Sequence, residues 1–553
     1  MKEKRNLLDY FRNGPTDMVM NISVRDALRT RGDSARDVIM TELKQMVSRK
    51  VWTPVNASSM TPTERSSIIR SSMFLKEKHL PTGEFDKLKA RLVAGGNQQD
   101  RELYEDLSAP TVSTSSVFSI LAIAAHERRH TAVTDIGGAF LHADMTTGID
   151  VYMRLDRVMT DMLVSAEKKY RPYVDDKGCL IVKLDKALYG CVESAALWYE
   201  HLANTLKSLG YETNEYDNCV FNRRSAEGVQ CTVAIHVDDL LITCGDKEEI
   251  TAVITSLREK YGDIKTVQGP VFNYLGMTMN MVTDGECRVT MKGYVDDLME
   301  STGTTGKARS PARDDLFETP VSAEPSRETV RQEFHQRVAK LLYLAKRTRP
   351  DCLTAVSFLA TRVQKCTQSD CDKLDRLMRY INSTRERGVA FRPGEKGITV
   401  SAYIDAAYGV HEEGRSHTGS CIVVGDVGAV HCKSTKQGLV TKSSTEAELV
   451  ALSDSCNQGI HVRRFLIAQG HETGPLTVYQ DNMSCLALMK RGRSAAEKTR
   501  HIDIRYFWMK ERVTGGDAVM KHLGTEKMYA NVLTKPLQGS QYVIERDMLT
   551  GWM

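Results

Sequence analysis

Asp238 and Asp239 stand side by side inside the apolar run CTVAIHVDDLLITC. Val233, Ile235 and Val237 before them, and Leu240, Leu241 and Ile242 after them, are strand formers, which places the pair at a tight Asp-Asp turn between two strands. Upstream, TAVTDIGGAFLHADM is another strand-like segment and offers Asp135 to the same place. Burying one uncompensated carboxylate costs several kcal/mol, comparable with the whole margin of folding stability, so three of them call for a divalent cation. Three carboxylates around metal point to phosphoryl transfer. A second acidic set lies further along: Asp405 and Asp481 close strand-like segments, and TKSSTEAELVAL places Glu446 and Glu448 on a helix. Ser443 and Glu446 fit an S-x-x-E capping box, which makes Glu446 structural and leaves Glu448 as the ligand. Two ions about 3.5–4 Å apart, held by such acids, stabilise the attacking and leaving oxygens of a phosphodiester. That is nuclease chemistry.

Other motifs weigh less. VDD also occurs at 174–176, in a polar turn, and at 295–297, in the first turn of a helix where acids complement the dipole. His126-Glu127-Arg128-Arg129-His130 matches the zinc motif H-E-x-x-H, but a strand begins directly after His130, so both histidines cannot share one helical face. STGTTGK lacks the glycine spacing of a phosphate loop and reads as a flexible connection. KRTR at 346–349 and the stretch MKRGRSAAEKTRHIDIRYFWMKERV concentrate Lys and Arg, which suits either nucleic-acid phosphates or a solvated helical face.

The elements that must carry these groups alternate in type. SARDVIMTELKQMVSRK has helical spacing and precedes VWTPV and a hairpin around Pro81-Thr82-Gly83; SSVFSILAIAAHERRH and SAALWYEHLANTLKSLG are further helices, the latter ending at Gly210. After the linker-like SPARDDLFETPVSAEPS, three helical patterns follow. From about residue 396, ITVSAYIDAAYG, SCIVVGDVGAVHCKS and TVYQDN are strand-like, with helices at 443–470 and 482–513. The division expected is an unassigned segment 1–34, an α+β unit 35–280, a helical unit 281–395, an α/β unit 396–540 and a tail 541–553. A length of 553 residues suits three or four structural units. The longest apolar stretch, VFSILAIAA, is too short to span a bilayer, and the start MKEKRNLLDYF has no signal-peptide core, so no membrane role is expected. Thirteen cysteines without C-x-x-C pairs read as reduced intracellular thiols, and a net charge of +4 discriminates little.

In these blocks the chain resembles the Pol polyprotein of copia-type LTR retrotransposons, over its reverse transcriptase and RNase H portions. KARLVAGG, DIGGAFLHADM, LDKALYGCVESAALWY, HVDDLLI, YLGM, YLAKRTRPD, YIDAAYG, TKSSTEAEL, QDNMSCLAL, KTRHIDIRY and ANVLTKPL run in the family's order across roughly residues 35 to 540. The resemblance implies an α+β right-hand polymerase with fingers, palm and thumb, followed by an α/β RNase H-like domain. It implies a nucleotidyltransferase that extends a DNA primer on an RNA template with dNTPs and Mg2+, and an RNase H that cuts RNA in RNA–DNA hybrids. Asp135, Asp238 and Asp239 would hold the polymerase ions and Asp405, Glu448 and Asp481 the nuclease ions. Lys89 and Arg91 would meet the incoming triphosphate, Phe140 would exclude a 2′-hydroxyl, and Leu275 and Gly276 would grip the primer. A cytoplasmic retrotransposon particle, with a nuclear step towards DNA integration, is the location the family implies; oligomeric state stays open.

Five positions in three blocks depart from the family: His236 replaces Tyr before VDD, Glu193-Ser194-Ala195 replaces Gln-Ala-Pro, and Asn531 in YANVLTKPL replaces Asp. The amide removes one negative charge, so weaker binding of one RNase H ion is expected, with Asn531→Asp restoring it. These departures also support the alternative of a decayed copy that binds nucleic acid without turnover.

Overall fold

The computed structural model describes residues 22–552 apart from 80–84, 106, 263, 283–284, 321–323, 396 and 492–499. Ala35, Ile39, Leu43 and Met46 recur at helical spacing and are buried, so the helix Asp33–Ser48 lays one face on a sheet. That sheet has six strands: β1 (Ile22–Ser23), β2 (Trp52–Val55), β3 (Ile69–His79), β4 (Phe85–Ala94), β6 (Tyr152–Leu155) and β7 (Leu180–Leu184), in the order β1-β3-β6-β7-β2 with β4 paired to β3. The β3–β4 hairpin is the one expected around Pro81-Thr82-Gly83, whose three turn residues lie outside the described residues. A helix absent from the sequence reading, Val24–Arg31, precedes it, capped by the Ser23 side chain.

The second sheet carries the first acidic set. Strands β5 (His130–Asp135), β8 (Glu212–Asn214), β9 (Asp217–Arg224), β10 (Gln230–His236), β11 (Asp239–Cys244) and β12 (Lys265–Gln268) pair antiparallel in the order β12-β5-β11-β10-β9-β8. The helix Thr114–His126, buried continuously from Ser116 to Ala125, and the helix Lys247–Tyr261 pack on β11. A helix buried all round fits an interior position, and this one lies between the second sheet and the C-terminal unit.

Segment 281–395 is less helical than expected. Strands β13 (Val271–Tyr274), β14 (Met277–Val282), β15 (Glu286–Thr290) and β16 (Val389–Phe391) form a four-stranded antiparallel sheet, with the helices Lys292–Thr302, Glu328–Ala345, Leu353–Ala360 and Gln368–Ser383 between β15 and β16. Nor is SPARDDLFETPVSAEPS a free linker over its described residues: Leu316 is buried, and the Phe317 ring sits 5.5 Å from Phe358 and 5.0 Å from His411. STGTTGK begins as the last turn of a helix, capped by Gly303 in the left-handed region, so it presents carbonyls rather than an anion cradle.

The C-terminal sheet runs β19 (Ala429–Lys436), β18 (His417–Val424), β17 (Val400–Ala407), β20 (Leu476–Gln480), β21 (Ala518–His522). The first three strands are antiparallel, and β20 and β21 run parallel to β17. The 25-residue helix Ser444–Ala468 crosses it. The expected tail is instead largely the helix Gly539–Thr550, whose Tyr542, Glu545 and Leu549 are buried. One apolar core runs continuously from the second sheet through the four-stranded sheet into the C-terminal unit; a separate core lies under the first sheet. Among the described residues no helix is long and apolar enough to cross a membrane.

Candidate active sites

Register brings the first acids together. Asp135, at the end of β5, pairs directly with Asp239, the first residue of β11, so both side chains emerge on one face. The turn differs from the Asp-Asp expectation: His236 pairs with Asp239, which leaves Val237 and Asp238 as its two central residues. Val237 takes φ +58°, a conformation costly for a β-branched side chain. Two hydrogen bonds hold the turn there. Trp198 Nε1 donates to the Val237 carbonyl (2.7 Å), and the Ile136 amide donates to the Asp238 carbonyl (3.0 Å).

The acids repel one another. Burial, then Asp238 and Asp135, push the Asp239 carboxyl up to about 6. Asp238 is also raised, chiefly by burial and further by Asp135, against the pull of Arg91 and Lys89. Oxygen donors crowded at a strand end, and destabilised as anions, suit a hard divalent cation.

Beside them lies a cluster of side chains that sequence reading named only in part. Phe140 meets Tyr189 edge-on with ring centroids 4.5 Å apart, and the Arg91 guanidinium lies 4.2 Å over the other ring. Tyr189 itself was missed. It is pinned by the Ala94 amide, which donates to its carbonyl (2.7 Å), and the neighbouring Gly190 passes so close that a Cβ would stand 2.2 Å from the Ala94 oxygen. The Tyr189 hydroxyl is raised by burial and by Asp238, Glu42 and Asp135, and lowered by Arg91, so the ring sits within the field of both acids and cation. Lys89 lies on the same strand and acts on both Asp238 and Glu42. Arg49, also missed, donates to the Gly137 and Gly138 carbonyls (3.2 and 3.3 Å) and to His142 Nε2 (2.6 Å), which fixes the loop bearing Phe140.

The departures sort differently. Glu193 is buried and accepts hydrogen bonds from Gln99 Nε2 (2.9 Å) and the Tyr104 hydroxyl (3.1 Å), so it anchors a loop. His236 is mostly buried, its Nδ1 has no hydrogen-bond partner, and burial and Arg347 keep the ring neutral by lowering its pKa. Leu275 and Gly276 form the turn between β13 and β14, both at positive φ, and a Cβ on Gly276 would meet the Tyr343 hydroxyl at 3.2 Å.

In the C-terminal unit Asp405, Glu448 and Asp481 bring carboxylate oxygens within 4.8 Å of one another, with Asp405 and Glu448 buried. Among the described residues only this set meets so tight a criterion; Asp135 and Asp239 pair directly, with Asp238 in the turn beside them, without doing so. Glu448 is raised by burial, then by Asp405 and Asp481, and accepts from Gln480 Nε2 (3.2 Å). Glu446 plays the expected capping part: its amide donates to Ser443 Oγ, and its carboxylate accepts from the Lys442 amide (2.7 Å). Asn531 is buried nearby, bonded to Lys535, Thr525 and Glu545.

The distracting motifs resolve as structure. His126 ends a helix and His130 starts β5, so no shared helical face exists for zinc. Asp175 caps its own turn through the Lys177 and Cys179 amides, and Asp296 pairs with Lys292 and Arg385. KRTR divides: Arg349 is fully buried in a bidentate pair with Asp351 (2.9 and 2.8 Å), while Lys346 is exposed. Residues 492–499 of the second basic stretch, and the side chains of Tyr506 and Phe507, lie outside the described residues.

The family described as reverse transcriptase (RNA-dependent DNA polymerase) matches residues 50–311. The chain is similar to the Retrovirus-related Pol polyprotein from transposon TNT 1-94 of Nicotiana tabacum, at 25% identity over 84% of this chain and 34% of that protein. It is 26% identical to the corresponding polyprotein from transposon RE1 of Arabidopsis thaliana, over 92% of this chain and 33% of that one. Against the Transposon Ty1-LR2 Gag-Pol polyprotein of Saccharomyces cerevisiae, identity is 23% over 90% of this chain and 28% of the other. The chain thus spans about a third of the length of the curated relatives it matches. Among solved structures, foamy viral protease-reverse transcriptase in complex with RNA/DNA hybrid covers 89% of this chain and 54% of its own, with 12% identity and a TM-score of 0.46. The reverse transcriptase match covers the first sheet except β1, the second sheet and part of the third, and the unit that follows is a five-stranded mixed sheet crossed by one long helix. Residues 50–311 are a reverse transcriptase domain of the kind carried by the Pol polyproteins of copia-type retrotransposons.

Proposed function

We propose that the chain is an RNA-directed DNA polymerase whose C-terminal unit cleaves the RNA of RNA–DNA hybrids. The observation that carries the polymerase reading is the direct pairing of Asp135 with Asp239, with Asp238 in the strained turn between β10 and β11. Asp135, Asp238 and Asp239 would hold Mg2+, as would Asp405, Glu448 and Asp481 in the second site. Bound there, the ions would lower the barrier to attack by the primer 3′-hydroxyl, or by water, and neutralise the charge that develops on the phosphate. Arg91, held over the Tyr189 ring, and Lys89 bind the triphosphate of a dNTP; the planar guanidinium suits bidentate phosphate contact. Phe140, fixed edge-on against Tyr189, closes the side of the pocket where a 2′-hydroxyl would sit. Trp198 and the Ile136 amide keep Asp238 in place without reorganisation during the reaction. The partners are an RNA template, a DNA primer and their hybrid, within the cytoplasmic particle of a retrotransposon.

The deciding experiment is Mg2+-dependent extension of a DNA primer on an RNA template by purified protein. Asp238→Asn is expected to abolish incorporation while hybrid binding persists. Extension unchanged in that variant would overturn the palm assignment. Tight hybrid binding by the parent chain with no extension would instead establish the decayed copy.

A further inference from the structure

The C-terminal centre has an amide where a fourth carboxylate is expected, and an ammonium fills the space that the amide faces. The orientation of Asn531 is fixed. Its Nδ2 donates to the Thr525 carbonyl (2.7 Å) and to Glu545 Oε1 (3.3 Å), so its Oδ1 must point the other way, where it accepts from Lys535 Nζ at 2.6 Å. The same Nζ lies 3.3 Å from Asp405 Oδ2 and 3.5 Å from Asp405 Oδ1. Helical geometry sets this up: the Lys535 amide bonds the Asn531 carbonyl (2.7 Å), which stacks the two side chains one turn apart. Thr534 Oγ1 donates to Asp405 Oδ2 and holds the carboxylate from the same segment.

Asp405 therefore serves two contacts at once: a carboxylate oxygen lies within 4.8 Å of Glu448 and Asp481, and both of its oxygens lie 3.3–3.5 Å from the ammonium shared with Asn531. We propose that Lys535 is the second cation of this centre, which takes one divalent ion, bound by Asp405, Glu448 and Asp481. The charges agree. Four carboxylates balance two divalent ions, whereas three carboxylates balance one divalent ion and one ammonium. A lysine suits the task because its ammonium is a compact point charge on a flexible stem. The amide follows as a necessity, since Asp at 531 would set a carboxylate oxygen against the Thr525 carbonyl and Glu545. On this reading Asn531→Asp alone does not strengthen ion binding, in contrast to the expectation drawn from the resemblance.

The inference rests on the RNase H reading, and ion counting separates the two. Mn2+ is titrated into the full chain carrying Asp135→Asn and Asp238→Asn, which silence the polymerase acids, and free Mn2+ is read by electron paramagnetic resonance. One equivalent is expected, remaining one in Lys535→Arg and rising to two in Lys535→Met combined with Asn531→Asp, which supplies the fourth carboxylate once the ammonium is gone. Two equivalents before the lysine is changed, or one equivalent still in that double variant, would overturn the proposal. If adding Asp405→Asn removes no ion, the nuclease reading itself fails, and the proposal with it.

Discussion

Replacing Asp239 by Asn should stabilise the metal-free protein at neutral pH and leave it unchanged in acid. Asp239 is raised to about 6 by burial and by two neighbouring carboxylates. The folded state thus holds this proton more tightly than the unfolded chain, whose Asp titrates near 3.9. The sign follows from proton linkage. The favourable contribution is complete below the unfolded pKa and is lost as pH rises through about 6, where the buried anions repel. Two pKa units correspond to roughly 3 kcal/mol, and partial exposure of the group reduces the expected effect to about 1–2 kcal/mol. Removing the charge recovers that amount above pH 7 and nothing near pH 4. In thermal denaturation with EDTA, the Asp239→Asn variant should melt about 2–8 °C above the parent for a module of this size at pH 7.5. The two should coincide at pH 4, and saturating Mg2+ should erase the difference at pH 7.5 by stabilising only the parent. An equal advantage at both pH values would mean that packing rather than charge governs the turn, and would remove the electrostatic argument for a cation there.

Trp198→Phe deletes the donor to the Val237 carbonyl and leaves a cavity where the second ring of the buried indole packs, so it should cost about 2–5 kcal/mol at the turn. Primer extension should show a reduced kcat with KM for dNTP nearly unchanged; unaltered kcat would mean that the turn needs no such tether. Arg349→Met leaves Asp351 buried with its cation gone and should destabilise by about 3–5 kcal/mol, whereas Arg349→Met with Asp351→Leu should recover most of the loss, as measured by urea unfolding. A double variant no better than the single would show that the pair is needed for itself. Because burial and its neighbours raise Glu448, its proton must leave before the carboxylate binds an ion. Mn2+ affinity at that site should therefore rise from pH 6 to pH 8, with proton release visible by calorimetry in buffers of different ionisation enthalpy; pH-independent affinity would contradict this.

The acids were legible because carboxylates break an apolar pattern that nothing but a ligand explains. Asp135 and Asp239 lie at the ends of short buried strands and Asp238 in the turn beside them, where a charge stands out against apolar neighbours, and TKSSTEAEL separates its capping acid from its ligand by local rules alone. Tyr189 was not legible, because its place depends on Gly190 crossing Ala94, a contact almost a hundred residues apart in the chain. Strand β16 has three residues, all buried, so it has no alternation to read, and its partner β15 lies about a hundred residues upstream. Leu316 and Phe317 anchor a segment whose Pro, Ser and Glu content reads as linker, and two apolar side chains outweigh that composition. Lys535 belonged to a recognised block, yet its bearing on Asp405 required the turn that stacks it over Asn531.

The helix Gly539–Thr550 has a further meaning for how this chain comes into being on a ribosome. Arg387 binds Asp547 and the Trp552 carbonyl (3.1 Å), and the Arg288 guanidinium lies 5.3 Å over the Trp552 ring. Gly551 and Gly428 each pass so close to Ala390 that a Cβ would stand 2.1 Å from its carbonyl oxygen. Strands β15 and β16 are thereby closed by residues synthesised about 160 positions after β16. During translation Asp135, Asp238 and Asp239 can come together early, but the scaffold that carries the Leu275-Gly276 turn is sealed only once residues 539–552 have emerged. A stop codon between residues 240 and 538 would spare Asp135, Asp238 and Asp239 and still leave that core open, so truncation in that range should strike through folding before it strikes through the acidic site.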